Sequence, residues 1–146
     1  MGRTPTDVFL ALVHGVAEER WAELPDLYAE ETDVLHPFDP FRAPALRTRD
    51  ALRAHFTPAG DGPRLVRGVE NITVHETTDP EVIVAEFEYH GTNLDTGKSF
   101  VQPGIFVLRV RDGRIVSSRD YFDHLTGAAI RGRLDDVVAA FTAREA

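Results

Sequence analysis

Two side chains offer this sequence its most useful chemistry. Asp120 sits in the string Arg119-Asp120-Tyr121-Phe122-Asp123, and His36 stands directly before Pro37. A carboxylic acid on a late strand that points into an apolar interior has its pKa raised by desolvation, which suits it to give up a proton near neutral pH. An imidazole titrates close to neutrality unaided and can do similar work. Each also has a plainer reading. Asp120 would form a structural salt bridge with Arg119 or another Arg, and His36 would only cap a strand end at a pocket rim. Tyr89 and Gln102 fall on inward strand faces by alternation, where a hydroxyl and an amide would anchor a ligand carbonyl or hydroxyl, or satisfy a buried neighbour. His55 lies three residues after Leu52 on one helix face, as a substrate contact or a satisfied core histidine. Phe56 and Phe87 are the expected apolar contacts beside these groups.

Other chemistries find less support. The chain has no cysteine, which removes disulfides, thiolate metal sites and cysteine nucleophiles together. There is no Gly-x-Ser-x-Gly elbow. Gly60-Asp61-Gly62-Pro63 precedes a strand and lacks the Lys-Ser/Thr of a phosphate loop. Glu86, Glu88 and His90 share the outward face of one strand. They would ligate a metal only as a weak pattern, and a solvated or subunit-facing strand explains them as well. His14 is expected on an exposed helix face, and His75 on a strand among charged neighbours. His124 follows Asp123, and the two point to opposite faces unless the strand has already ended. We therefore expect proton transfer with no cofactor and no metal.

The elements that must position these groups are legible in the spacing. Thr4-Pro5-Thr6-Asp7 opens a helix that runs to about Arg20, with Val8, Leu12, Val16 and Phe9, Val13 at helical spacing. Trp21, Leu24, Leu27 and Tyr28 suggest a second short helix with core-packing aromatics, and residues 32–38 a strand ending at Pro37. Residues 39–47 are expected as loop, and Arg49–Phe56 as a third helix. From residue 63 the period becomes two, and 65–77, 81–92, 98–111 and 114–123 form four long strands joined by short turns. Gaps this short imply antiparallel neighbours. Ile83, Ala85, Phe87 and Tyr89 face one way, and Val82, Val84, Glu86, Glu88 and His90 the other. Residues 127–144 form a tail helix with Ile130, Leu134, Val137, Val138 and Phe141 on one side. The whole is an α+β fold whose antiparallel sheet curls around helices and leaves a cone-shaped interior.

Sixteen Lys plus Arg against 24 Asp plus Glu leave a net charge of −8 over 146 residues, one domain's length. Such a surface disfavours nucleic acid and anionic membrane as partners. No apolar run approaches a membrane span, and no leader is evident, so a cytoplasmic protein is expected. Val82 and Val84, with Val101, Ile105 and Val107 on the next strand, would leave an apolar outer sheet face. Either a homodimer packs there or the tail helix folds back over it.

Three segments carry a resemblance to the nuclear transport factor 2-like superfamily, and within it to SnoaL-like polyketide cyclases, ketosteroid isomerases and limonene epoxide hydrolases. They are Asp26-Leu27-Tyr28-Ala29-Glu30-Glu31-Thr32-Asp33-Val34-Leu35-His36-Pro37, then Arg49-Asp50-Ala51-Leu52, then Asp112-Gly113-Arg114-Ile115 followed by Ser118-Arg119-Asp120-Tyr121-Phe122-Asp123. The resemblance implies one SnoaL-like domain over 1–146, with a core of about 5–125 and a tail helix of about 127–144. It implies a cystatin-like roll and dimers that pack sheet on sheet. In the epoxide hydrolases a string like the last one supplies an acid, Asp120 by match. The Arg/Asp pair that works with that acid falls here on Phe87 and Tyr89. His36 stands where ketosteroid isomerases carry their proton-moving carboxylate, but their oxyanion donors fall near Leu12 and Ile105-Phe106. The expected function is therefore a cofactor-free SnoaL-type isomerase, cyclase, dehydratase or hydrolase. It would act on a largely apolar, polyketide- or terpenoid-like molecule through His36 and Asp120, with Tyr89, Gln102, His55, Phe87 and Phe56 binding it. The alternative is a non-catalytic small-molecule binder with the same pocket.

Overall fold

The computed structural model describes residues 2–145. Helix α1 (Pro5–Ala17) begins on a reciprocal cap, with the Thr4 hydroxyl accepting from the Asp7 N–H and the Asp7 carboxylate from the Thr4 N–H. Its Val8, Phe9, Leu12 and Val13 are buried. A single 3-10 turn, Leu24–Leu27, follows where a second helix was expected. The chain is already extended at Tyr28, so strand β1 runs Tyr28–Leu35, starting earlier than the 32–38 reading. The segment expected as loop contributes a short β2 (Leu46–Thr48). Helix α2 (Arg49–Phe56) follows, capped by Thr48 and buried through Leu52.

Strands β3 (Leu65–Glu76), β4 (Val82–Asn93), β5 (Ser99–Arg111) and β6 (Arg114–Phe122) match the period-two segments closely. The sheet order is β2-β1-β6-β5-β4-β3. Its consecutive pairs are antiparallel, but β1 lies parallel to β6. The sheet is therefore mixed, not wholly antiparallel. Short gaps dictate only the hairpin partners, whereas β1 and β6 are far apart in the chain and the long connection permits a parallel pair.

The inward set is as the alternation requires, with Ile83, Ala85, Phe87 and Tyr89 all buried. Phe9, Phe87, Phe106 and Phe122 meet edge to face at centroid distances of 4.9–6.1 Å. Gly104 admits this cluster, because a Cβ there would lie 3.0 Å from the rings of both Phe122 and Phe87.

The tail is two helices, α3 (His124–Ile130) and α4 (Leu134–Glu145), not one. Gly132 adopts φ +68° between them, a left-handed turn that ends a helix and that glycine favours. Helix α3 packs on β5 and α4 on α3. The tail does not cover the outer sheet face, where Val101 and Ile105 remain exposed, and Val138 and Phe141 are exposed on α4.

Candidate functional site

Register brings the two chemical groups together. Val34 pairs with Ser118 and Leu35 with Arg119 across the parallel β1–β6 ladder. One step further, His36 stands level with Asp120, and both point to the concave side. The His36 Nε2 lies 3.5 Å from Asp120 Oδ2. Asp120 is 5% exposed and accepts a hydrogen bond from the Ser118 hydroxyl. Arg119 is not its partner. The Arg119 side chain points to the other face and donates to the Asp33 carboxylate at 2.9 Å and the Asp33 carbonyl at 3.0 Å.

Burial decides the protonation of the pair. It pushes the Asp120 carboxyl up to about 7, against the Ser118 hydroxyl and the Arg119 charge, which both favour the carboxylate. It drives His36 down to about 4, aided by the nearby His55 and His124 imidazoles and opposed by Asp39. Both shifts favour neutral forms. Near pH 7 a neutral imidazole therefore faces a carboxyl that is about half protonated, and the contact is not a fixed ion pair.

Other groups surround the pair. The His55 ring lies 5.5 Å from the His36 ring and the His124 ring 6.4 Å from it. Burial lowers the pKa of both. The strand ends at Phe122, so Asp123 caps α3 through the Thr126 N–H and His124 turns toward His36. By sequence Asp123 and His124 point to opposite faces unless the strand has ended, and β6 does end at Phe122, one residue before Asp123. The His124 Nε2 is buried and has no hydrogen-bond partner among the described residues.

A cavity of about 1090 Å³ opens from this pair, walled by Leu12, Tyr28, Val34, Leu52, Phe106 and Phe122 among others. Tyr89, Gln102, His55 and Phe56 also line it. Phe87 does not, since it lies in the aromatic layer behind that wall. Gln102 pairs in register with Tyr89 and donates its amide to the Asp123 carbonyl at 3.2 Å, so it ties β5 to the start of α3. Burial raises the Tyr28 and Tyr89 hydroxyls well above their ordinary pKa, the charge of Asp120 adding to it and, at Tyr89, that of Arg67 opposing it, so both remain donors. Tyr28 and Trp21, assigned to core packing by sequence, are also on the cavity wall. Arg67 of β3 lines it too. No motif marked Arg67, although alternation with Leu65 and Val69 puts it on the inward face.

Glu86, Glu88 and His90 are taken up by ion pairs on the outer face, two of them across to β3 and one within β4. His75 meets Glu86 at 2.6 Å, and His90 meets Glu70 at 2.8 Å and Glu88 at 3.0 Å. Among the described residues no group of three or more His, Asp or Glu is placed to hold a metal ion. No helix among them is long and apolar enough to cross a membrane.

Comparison with known proteins agrees with this fold. The chain is 42% identical over 53 residues to the uncharacterised protein YesE of Bacillus subtilis, which spans 36% of each chain. It is 30% identical over 101 residues to the uncharacterised PhzA/B-like protein PA3332 of Pseudomonas aeruginosa, covering 64% of this chain and 70% of that one. A solved structure of a candidate isomerase from Bacillus subtilis superposes with a TM-score of 0.78 at 24% identity, over 88% of this chain and 93% of the other. A candidate polyketide cyclase from Pseudomonas putida superposes with a TM-score of 0.69 at 16% identity, over 89% and 99%. At those identities the two structures establish the fold alone. The SnoaL-like domain model matches residues 9–118, a stretch that includes His36 and Ser118 and stops short of Asp120, and the chain belongs to the SnoaL-like family.

Proposed function

We propose that this protein is a general acid–base enzyme acting on a small, largely apolar molecule held in the cavity. Asp120 gives and takes the proton, and neutral His36 accepts or relays it. The observation that carries the reading is the 3.5 Å contact between these two groups on the wall of a cavity that is apolar around them, with Asp120 poised near pH 7. A group whose pKa lies near the working pH is the efficient proton carrier. The chemistry that needs no more than this is isomerisation, cyclisation, dehydration or water addition, and the named relatives include a candidate isomerase and a candidate cyclase. Tyr28 and Tyr89 would donate to a substrate oxygen, and the aromatic wall would hold its carbon frame, which suits a polyketide- or terpenoid-like body.

The test uses 2-tetralone, an apolar ketone with exchangeable α-protons, in D2O. The wild-type protein should speed α-proton exchange above buffer, and Asp120→Asn and His36→Ala should each lower that rate about 100-fold or more. Exchange at the wild-type rate in both variants refutes the assignment. Catalysis no better than buffer, together with ordinary pKa values for both groups by NMR titration, supports a binding protein instead.

For assembly we propose a homodimer through the outer face of β4 and β5, where Val101 and Ile105 are exposed and Val84 is half-buried. Sedimentation velocity should give a dimer, and Ile105→Glu a monomer. A monomeric wild-type protein refutes this.

A further inference from the structure

One end of the cavity is not apolar. Arg67 pairs in register with Gly91, and its neighbours on the same face, Leu65 and Val69, pair with Asn93 and Tyr89. A Cβ at position 91 would lie 2.9 Å from the Arg67 Cβ and 2.2 Å from the Val66 carbonyl, so glycine makes the close approach possible. The guanidinium carbon lies 5.6 Å from the Tyr89 ring centre and 5.8 Å from that of Trp21. Both rings lie within cation–π range and attract the group. Its Nε is buried without a hydrogen-bond partner among the described residues. Among the described residues it makes no ion pair.

The rest of that rim is accounted for differently. Arg64 is held by Asp95 at 2.8 Å and Arg133 by Asp136 at 3.1 Å. Arg131 lines the same end with no ion-pair partner among the described residues. Glu19 and Asp61, the carboxylates that line the cavity, make no ion pair with Arg67 or Arg131 among the described residues, although the Glu19 charge is near enough to favour the charged form of Arg67. A guanidinium stays charged when buried, and a buried charge without a counter-ion is unfavourable.

We infer that Arg67, supported by Arg131, is an anion subsite, and that the cavity's ligand carries a carboxylate on an apolar body. The inference rests on the proposed reading of the cavity as a small-molecule site. Arg67 is level with Gly91 and Phe100, whereas Asp120 is level with Phe106. Those positions are separated on β5 by roughly 20 Å at 3.3 Å per residue, before side chains reach inward. Tyr89 lies between them and feels the charge of both. Arg67 would therefore hold one end of the ligand and present the other to Asp120 and His36. It is a binding residue that orients the ligand, distant from the reacting atoms. A bidentate guanidinium–carboxylate contact suits that task because it fixes direction as well as position.

The test compares 2-naphthylacetate with its neutral isostere 2-naphthylacetamide by isothermal titration at pH 7.5. The wild-type protein should bind the carboxylate at least tenfold tighter. Arg67→Met, checked for folding by circular dichroism, should bind both alike, Arg131→Met should lose part of the preference, and Arg67→Lys should keep part of it. The Arg67 Nε–H resonance should move downfield with the carboxylate and not with the amide. If Arg67→Met does not fold, the wild-type preference and that resonance decide alone. Equal saturable binding of the two probes by wild type, or a preference that survives Arg67→Met, overturns the anion subsite and leaves the pocket reading intact. Binding of neither probe overturns both.

Discussion

The opposed shifts of Asp120 and His36 have a measurable thermodynamic consequence. Asp120 titrates at about 7 in the folded chain against 3.8 ordinarily. Between those pH values the folded state binds more protons than the unfolded one, so its contribution makes stability fall as pH rises and is fully lost above about 7. The shift of about three units corresponds to roughly 4 kcal/mol. His36 acts with the opposite sign. Its pKa falls from 6.5 to about 4, so between those values the unfolded state binds the extra proton and stability rises with pH. That contribution is roughly 3 kcal/mol. The two slopes largely cancel in the wild-type protein between pH 4 and 6.5, and single substitutions should expose them. Relative to wild type, Asp120→Asn should gain roughly 4 kcal/mol of stability between pH 4 and pH 8. His36→Gln should lose its relative advantage over the window from 4 to 6.5. Urea unfolding at half-unit pH steps measures both, and taking differences from wild type removes the other carboxylates. A wild-type minus Asp120→Asn difference that stays constant across this range would refute the claim that a neutral carboxyl is buried there.

Further outcomes are expected from single changes. Ser118→Ala removes the hydroxyl that stabilises the Asp120 carboxylate, so the pH profile of proton exchange should move alkaline by roughly one to two units. Thr4→Ala breaks the reciprocal cap of α1 and should cost about 1 kcal/mol in urea unfolding, at all pH values above 5. Phe87→Ala empties the centre of the aromatic cluster and should cost roughly 3–5 kcal/mol, with an acidic exchange limb that keeps its midpoint because Phe87 lies behind the cavity wall. Arg119→Met leaves Asp33 unpaired on the half-exposed outer face, so it should cost under about 1 kcal/mol, an effect that shrinks further at high salt.

Much of this was readable from the chain. Strict alternation through Ile83, Ala85, Phe87 and Tyr89 is a local signal, because the pleat alone decides which side chains face inward. It therefore located β3 to β6 and the inward Tyr89 and Gln102. Asp120 and His36 stand out as candidates through the strings around them. Their contact was not legible, since it depends on a parallel register between distant strands that no local pattern encodes. Trp21 to Tyr28 looked helical because apolar spacing alone cannot separate one 3-10 turn followed by a strand from a short helix. Gly132 was a visible stop signal inside the tail pattern, and the apolar stripe on both sides of it obscured the break. Arg67 escaped notice because a charged residue on an inward face is meaningful only when the enclosed space is known to be wide enough to admit it.

The parallel β1–β6 seam also orders events during folding. The β3–β6 meander can close by short hairpin turns, each a cheap loop. The seam joins two ends of a long chain segment and would zip late. Asp120 would thus remain solvated, with an ordinary acidity, in any partly folded form that has the meander but lacks the first strand. A ribosome-bound chain halted before β6 would possess the histidine without its partner. Recovery of the near-neutral carboxyl titration during refolding would then serve as a clock for the last long-range contact. It should lag behind the fluorescence change of Trp21 if α1 and the 3-10 turn settle onto the sheet first.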